Sequence, residues 1–215
     1  MPKAGENWKT FLKGLWEDNP IFRMILGICS TLAVTNQVVN TLAMCGAVVF
    51  VITASSLIVS LVRKITGKRV RMAVYTLFIA AFVIMVDIAL KAWVPTIAKA
   101  MGPYVGLIIT NCIIMGRAEA YASNNKPLPS VLDAAGVGLG YAMSLLIIAV
   151  FRELLGFGTL AGFQVFGPGF EPWVIMVMAP GAFFMLGSYI WVIRTLQDWQ
   201  AKRKVEKKRR AALAA

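Results

Sequence analysis

Histidine is absent from all 215 residues, and the acidic residues number only 10 against 22 Lys and Arg. Without an imidazole the chain lacks the commonest proton shuttle and the commonest haem ligand, so any metal it holds needs thiolate or carboxylate. Cysteine is scarce as well. Cys29, Cys45 and Cys112 all lie in or beside apolar stretches, which excludes a disulfide framework. The N-terminus shows no apolar run ending in a small-residue cleavage site, so no cleavable leader is expected. A phosphate-binding glycine loop between a strand and a helix is also missing. The GVGLG of residues 136–140 sits inside an apolar run and reads as helix packing.

What is abundant is hydrocarbon. Hydrophobic residues make up 59% of the chain and the mean hydropathy is +0.72, where soluble domains have roughly 45–50% apolar residues. Residues Met24 to Val62 form 39 uncharged positions in a row, about two crossings of a ~30 Å hydrocarbon core. Crossings are expected near residues 24–35, 39–62, 72–93, 100–116, 134–151 and 172–193.

The net charge of +12 is not spread evenly over these spans. The N-terminus, the 63–71 and 117–133 loops and the C-terminal tail fall on one side, which holds every Lys and Arg except Lys91, Lys99 and Arg152. Cationic loops are retained in the cytoplasm, so both termini are expected there. The basic balance then reports topology and contact with anionic lipid, and no nucleic-acid partner is expected.

Along the chain, residues 7–17 (NWKTFLKGLWE) read as an interfacial helix. Asn19 and Pro20 open the first membrane element as cap and first-turn residue. That element is interrupted at Thr35-Asn36-Gln37, after a helix of only ~16 Å. The fourth, from Gly102-Pro103 to Gly116, is short as well, and Pro180-Gly181 should kink the sixth. Short element, long span, long span thus occurs twice, giving an all-α fold of six transmembrane helices in two inverted three-helix repeats. The expected parts are an N-terminal interfacial segment (1–20), repeats over 21–95 and 96–195, and a basic tail (196–215). Broken segments at matching places in inverted halves point to a site at the membrane midplane.

Each broken segment carries a cysteine. Cys29 lies six residues past Arg23 and Cys112 nine past Pro103, depths of ~9 and ~13 Å from opposite faces. Such a pair suits a sulfur-ligated metal, and an iron–sulfur cluster wants four thiolates, which favours sharing with another subunit. The opposing reading is two small packing residues. Cys45, in LAMCGAV, has no counterpart in the second half and reads as packing.

The segments NPIFRMILGICSTLAVTN, LIITNCIIMGRAEAYA, LPSVLDAAGVGLGYA, FRELLGFG and APGAFF resemble the small cysteine-bearing membrane subunits of the Rnf and Na⁺-translocating NADH:quinone oxidoreductase complexes. The likeness covers roughly residues 19–195, and APGAFFMLGSYIWVIRT is closer to the sodium-pump branch than to the Rnf branch. The resemblance implies a 2Fe–2S cluster held by Cys29 and Cys112 together with two cysteines of a paralogous subunit of opposite orientation. It further implies a six-subunit complex that couples NADH oxidation to Na⁺ transport, with FAD and FMN on other subunits. The covalent-flavin threonine motif of the larger partner subunits is not found here.

Asp87, Glu119 and Glu153 sit within or beside apolar segments, where charge is costly and marks function or pairing. For Asp87, a ligand to Na⁺ and a bridge to Lys91 four residues on are both open. Arg117 and Glu119 flank the second cysteine, and Arg152 and Glu153 belong to the same polar belt. The alternatives to a redox-driven sodium pump are the homologous Rnf subunit and a metal-free secondary transporter built on inverted repeats.

Overall fold

The computed structural model describes residues 11–12, 14–15, 19–67, 69–160, 163–164 and 173–213. A π-turn over Pro20–Met24 is followed by α1 (Ile28–Val34), α2 (Val38–Val62), α3 (Arg71–Trp93), α4 (Pro95–Ile109) and α5 (Cys112–Arg117). A second π-turn over Ala118–Ala122 leads to α6 (Pro127–Gly156), a two-stranded hairpin, α7 (Val174–Val177) and α8 (Ala179–Leu213). The hairpin pairs Thr159 with Gln164 and Leu160 with Phe163, antiparallel.

Among the described residues, four segments are long and apolar enough to cross a membrane: α2, α3, the run Pro95–Ala122 and α6. The first expected crossing is instead a five-residue π-turn and a seven-residue helix, with its break at Thr35–Gln37 where the polar residues fall. The fourth expected element begins earlier than its hydropathy suggests. Pro95 starts α4, Pro103 lies inside it, and the interruption comes at Thr110-Asn111. The fifth, expected over 134–151, is the 30-residue α6. Its Pro127 and Pro129 occupy a first turn whose amides have no intrahelical partner anyway, so the apolar run does not mark the start. In the sixth, the break falls at Met178, which turns extended (ψ 162°) before Ala179 and Pro180 restart the helix. Gly181 is required there, because a Cβ would lie 2.6 Å from the Met176 Cα.

The core lies between α2 and α6, where Met44, Val48, Val51 and Ile52 pack with Val137, Tyr141, Leu145 and Ile148. The glycines of α6 serve two neighbours. Gly138 faces α2, with room for a Cβ only 3.1 Å from Ile52 Cγ2, whereas Gly140 lies against the Leu15 carbonyl, 2.9 Å from where its Cβ would stand. The interfacial helix expected over 7–17 lies largely outside the described residues. Its described part, around Phe11 and Leu15, is helical and sits against this glycine face. Next to the second π-turn, Val59, Tyr75, Ala118 and Ala122 form a separate small cluster.

Candidate functional site: two thiols in broken helices

Cys29 is the second residue of α1 and Cys112 the first of α5, so each thiol stands in the opening turn of a short helix. Both are exposed at the surface of the chain, whereas Cys45 is buried in α2 with its sulfur 3.7 Å from the Ala142 carbonyl. The loop before Cys29 is shaped by two left-handed residues, Ile25 (φ 57°) and Gly27 (φ 77°). Ile25 closes the π-turn, and the Leu26 amide also turns back onto the Pro20 carbonyl, at 2.9 Å. Asn19 anchors this turn to the core: its Oδ1 accepts from the Ile21 amide, and its Nδ2 donates to the Gly140 carbonyl at 2.9 Å and to Ser144 Oγ at 3.3 Å.

The two broken segments meet. The Gly27 amide donates to Cys112 Sγ at 2.9 Å. Asn111 caps α5 by accepting from the Ile113 amide through Oδ1, while its Nδ2 donates to Ser30 Oγ at 3.4 Å. Ser30 Oγ shares a 2.5 Å hydrogen bond with the buried Tyr141 hydroxyl of α6. Gly27 has a further reason to be glycine: a Cβ would run into the Ile113 side chain and stand 3.0 Å from the Tyr141 ring. The Gly-x-Cys and Asn-Cys pairs of the sequence are therefore one tertiary unit.

The donor set defines what this unit is able to hold. Among the described residues no cluster of three or more Cys, Asp or Glu side chains is placed to bind a metal. The two thiols are accessible and would supply half of a four-thiolate set, and one accepts an amide hydrogen bond of the kind that tunes iron–sulfur centres. The residues fit a shared cluster and do not complete one.

The three carboxylates singled out in the sequence lie apart from the thiols, each with its own partner. Asp87 accepts from Lys91 at 2.6 Å on the exposed side of α3. Glu119 accepts from Arg71 at 3.0 Å through Oε1, while its Oε2, Arg71 Nε and the Tyr75 hydroxyl are buried without a partner. Glu153 accepts from the Val38 amide at 2.5 Å and from Thr159 Oγ1 at 3.4 Å, capping the first turn of α2. Arg152 is 2% exposed and donates to Thr35, Leu32, Met176 and Val177.

Sequence reasoning missed Asp133. It is buried and pairs in bidentate fashion with the buried Arg117, at 2.9 and 2.5 Å, while the Arg117 guanidinium also lies 5.7 Å from the Tyr121 ring centre. The signal was an acid one position ahead of the assumed start of the fifth span; once the helix begins at Pro127, Asp133 lies within it.

The chain is an apolar helical bundle in which two interrupted, cysteine-bearing segments meet, the arrangement of a membrane protein with irregular backbone inside its fold. The family described as "Rnf-Nqr subunit, membrane protein" matches residues 7–190, and the chain belongs to it. Among its relatives is the D subunit of the Na(+)-translocating NADH-quinone reductase of Chlamydia trachomatis serovar L2, 47% identical over 203 residues, 90% of this chain and 95% of the relative. The D subunit of the same reductase from Photobacterium profundum is 47% identical over 209 residues, covering 95% of this chain and all of its own. That of Chlamydia caviae is 45% identical over 211 residues, 93% of this chain and 99% of the relative.

Proposed function

We propose that this chain is the D subunit of a Na⁺-translocating NADH:quinone reductase and that Cys29 and Cys112 hold half of a 2Fe–2S cluster, the other half coming from a paralogous subunit inserted in the opposite orientation. The observation that carries the reading is the Gly27–Cys112 hydrogen bond, which joins the two broken segments while leaving both thiols accessible. When bound, the cluster supplies a one-electron relay between flavins held by other subunits of a six-subunit complex.

The chain's own residues do the holding. Gly27 and Asn111 set the two loops, Ser30 and Tyr141 fix them to α6, and the exposed part of this irregular backbone would need the neighbouring subunit to cover it inside a membrane. The reading includes six crossings in two inverted repeats and cytoplasmic termini, consistent with the distribution of Lys and Arg. Sodium coupling requires that the ion's affinity differ between oxidised and reduced states. Asp87 and Glu119 are the proposed carboxylates of the ion path. Glu153, with both oxygens engaged, caps α2 in addition to any part in that path.

Iron and acid-labile sulfide measured in the purified complex test the assignment. About one 2Fe–2S centre for this chain and its paralogue is expected, lost in Cys29→Ser and in Cys112→Ser and kept in Cys45→Ser. Full iron in all three variants removes the cluster assignment.

A further inference from the structure

We propose that Arg152 is a positioning residue for Cys29: one guanidinium grips the carbonyl ends of two broken helices, α1 and α7, and thereby sets the depth and orientation of the thiol-bearing segment. The inference rests on the reading of Cys29 as a cluster ligand. A seven-residue helix is too short to be stable by itself, so its place must be set by outside contacts. At its N-terminal end those contacts are Gly27–Cys112 and Ser30–Tyr141. At the other end they come from Arg152 and from Thr41, whose Oγ1 donates to the Val34 carbonyl at 3.1 Å.

Nη1 of Arg152 donates to Thr35 Oγ1 at 2.5 Å and to the Leu32 carbonyl at 3.3 Å, the last turn and cap of α1. Nε and Nη2 donate to the carbonyls of Met176 and Val177, both at 3.1 Å, where α7 ends before the Met178 break. All four partners are neutral oxygens, three of them carbonyls at helix C-termini, which carry partial negative charge and lack intrahelical donors. A buried cation placed between two such ends is compensated only while both stay in place. The planar fork dictates their directions, which an ammonium does not do.

The adjacent residue completes the grip. Glu153 accepts from the Val38 amide at 2.5 Å, on the far side of the Thr35–Gln37 break. Two consecutive residues of α6 thus hold both sides of one helix interruption, cation on carbonyls and anion on amide. The second cysteine segment has a lighter counterpart. Arg63, the cap of α2, donates to the Asn125 carbonyl at 2.6 Å and Ser60 does so at 2.7 Å, just past the second π-turn. One carbonyl is held there, against four oxygens at Arg152.

The test uses the whole purified complex with Arg152→Lys, Arg152→Gln and Thr35→Val, read by amide hydrogen exchange over residues 27–38 and by the reduction potential and paramagnetic signal of the cluster. Lys keeps the charge and loses the fork. Both Arg152 variants are therefore expected to exchange about tenfold faster over 27–38 and to shift the cluster signal alike. Thr35→Val is expected to act in the same direction, more weakly, with no change over 173–178. An Arg152→Lys complex that matches wild type in exchange and potential overturns the proposal. If the Arg152 variants do not assemble, Thr35→Val decides it, and unchanged exchange there overturns it. A wild-type complex without an iron–sulfur signal defeats the cluster reading instead, and the exchange data still judge whether Arg152 holds α1.

Discussion

The amide of Gly27 and the sulfur of Cys112, 85 residues apart in sequence, lie 2.9 Å from each other. That contact requires the Cys112 loop to come up against backbone that carries no side chain, in a left-handed conformation (φ 77°) that L-residues rarely adopt. Gly27→Ala adds a methyl where Ile113 and Tyr141 already stand. Backbone strain alone costs about 1–3 kcal/mol. The expected outcome is loss of most cluster iron from a complex that still contains this chain, measured by iron analysis after purification; wild-type iron content counts against the tight approach of the two loops.

Asn111 has two tasks that substitution separates. Asn111→Asp keeps the acceptor for the Ile113 amide and removes the donor to Ser30, whereas Asn111→Ala removes both. Loss of the cap costs about 1 kcal/mol. Thermal unfolding of the complex should therefore rank wild type first, Asn111→Asp next and Asn111→Ala last. Equal midpoints for the two variants would show that the cap contributes nothing.

Arg117 and Asp133 form a buried ion pair between α5 and α6, with side chains 9% and 5% exposed. Breaking such a buried pair by removing one partner costs ~3–5 kcal/mol. Asp133→Ala is expected to lower the unfolding midpoint sharply, and Arg117→Met combined with Asp133→Leu to recover much of the loss. A double variant as unstable as the single one contradicts the pairing account.

On the proposed ion path Lys91 would compete with Na⁺ for the Asp87 carboxylate, since its ammonium occupies Oδ2 at 2.6 Å on an exposed helix face. Such exposed pairs contribute little to stability. Asp87→Asn is expected to raise the half-saturating Na⁺ concentration for turnover several-fold with the cluster intact, and Lys91→Gln to lower it. Sodium activation identical to wild type in Asp87→Asn rejects the ion-path role and leaves the bridge as the residue's only task.

Part of this arrangement was legible in the chain. The break at Thr35-Asn36-Gln37 is visible because polar side chains interrupt an uncharged run, and α1 and α2 do end and begin on either side of it. The two cysteine segments were legible from their matching places in the sequence and from the motifs around them. The left-handed Ile25 was not, because a β-branched residue carries no local signal for that conformation. Nor were the partners of Arg152, which lie 117 to 120 residues before it and 24 to 25 after, and are mostly backbone carbonyls that any sequence would supply. Asp133 was obscured by a helix start judged from hydropathy, when proline in the first turn places that start two turns earlier. Proline and glycine point to a bend of the last helix at Pro180-Gly181, yet the chain opens at Met178 so that Pro180 falls where its missing amide is not needed.

The central claim is that the two accessible sulfurs of α1 and α5 grip one inorganic centre together with a neighbouring subunit. An iron-edge anomalous map of the assembled complex tests it most directly. The account predicts a two-iron peak bonded to Cys29 and Cys112 Sγ and to two sulfurs of the adjoining chain. Sulfurs lying far apart, or covered by ordinary hydrocarbon side chains with no iron between them, would contradict it.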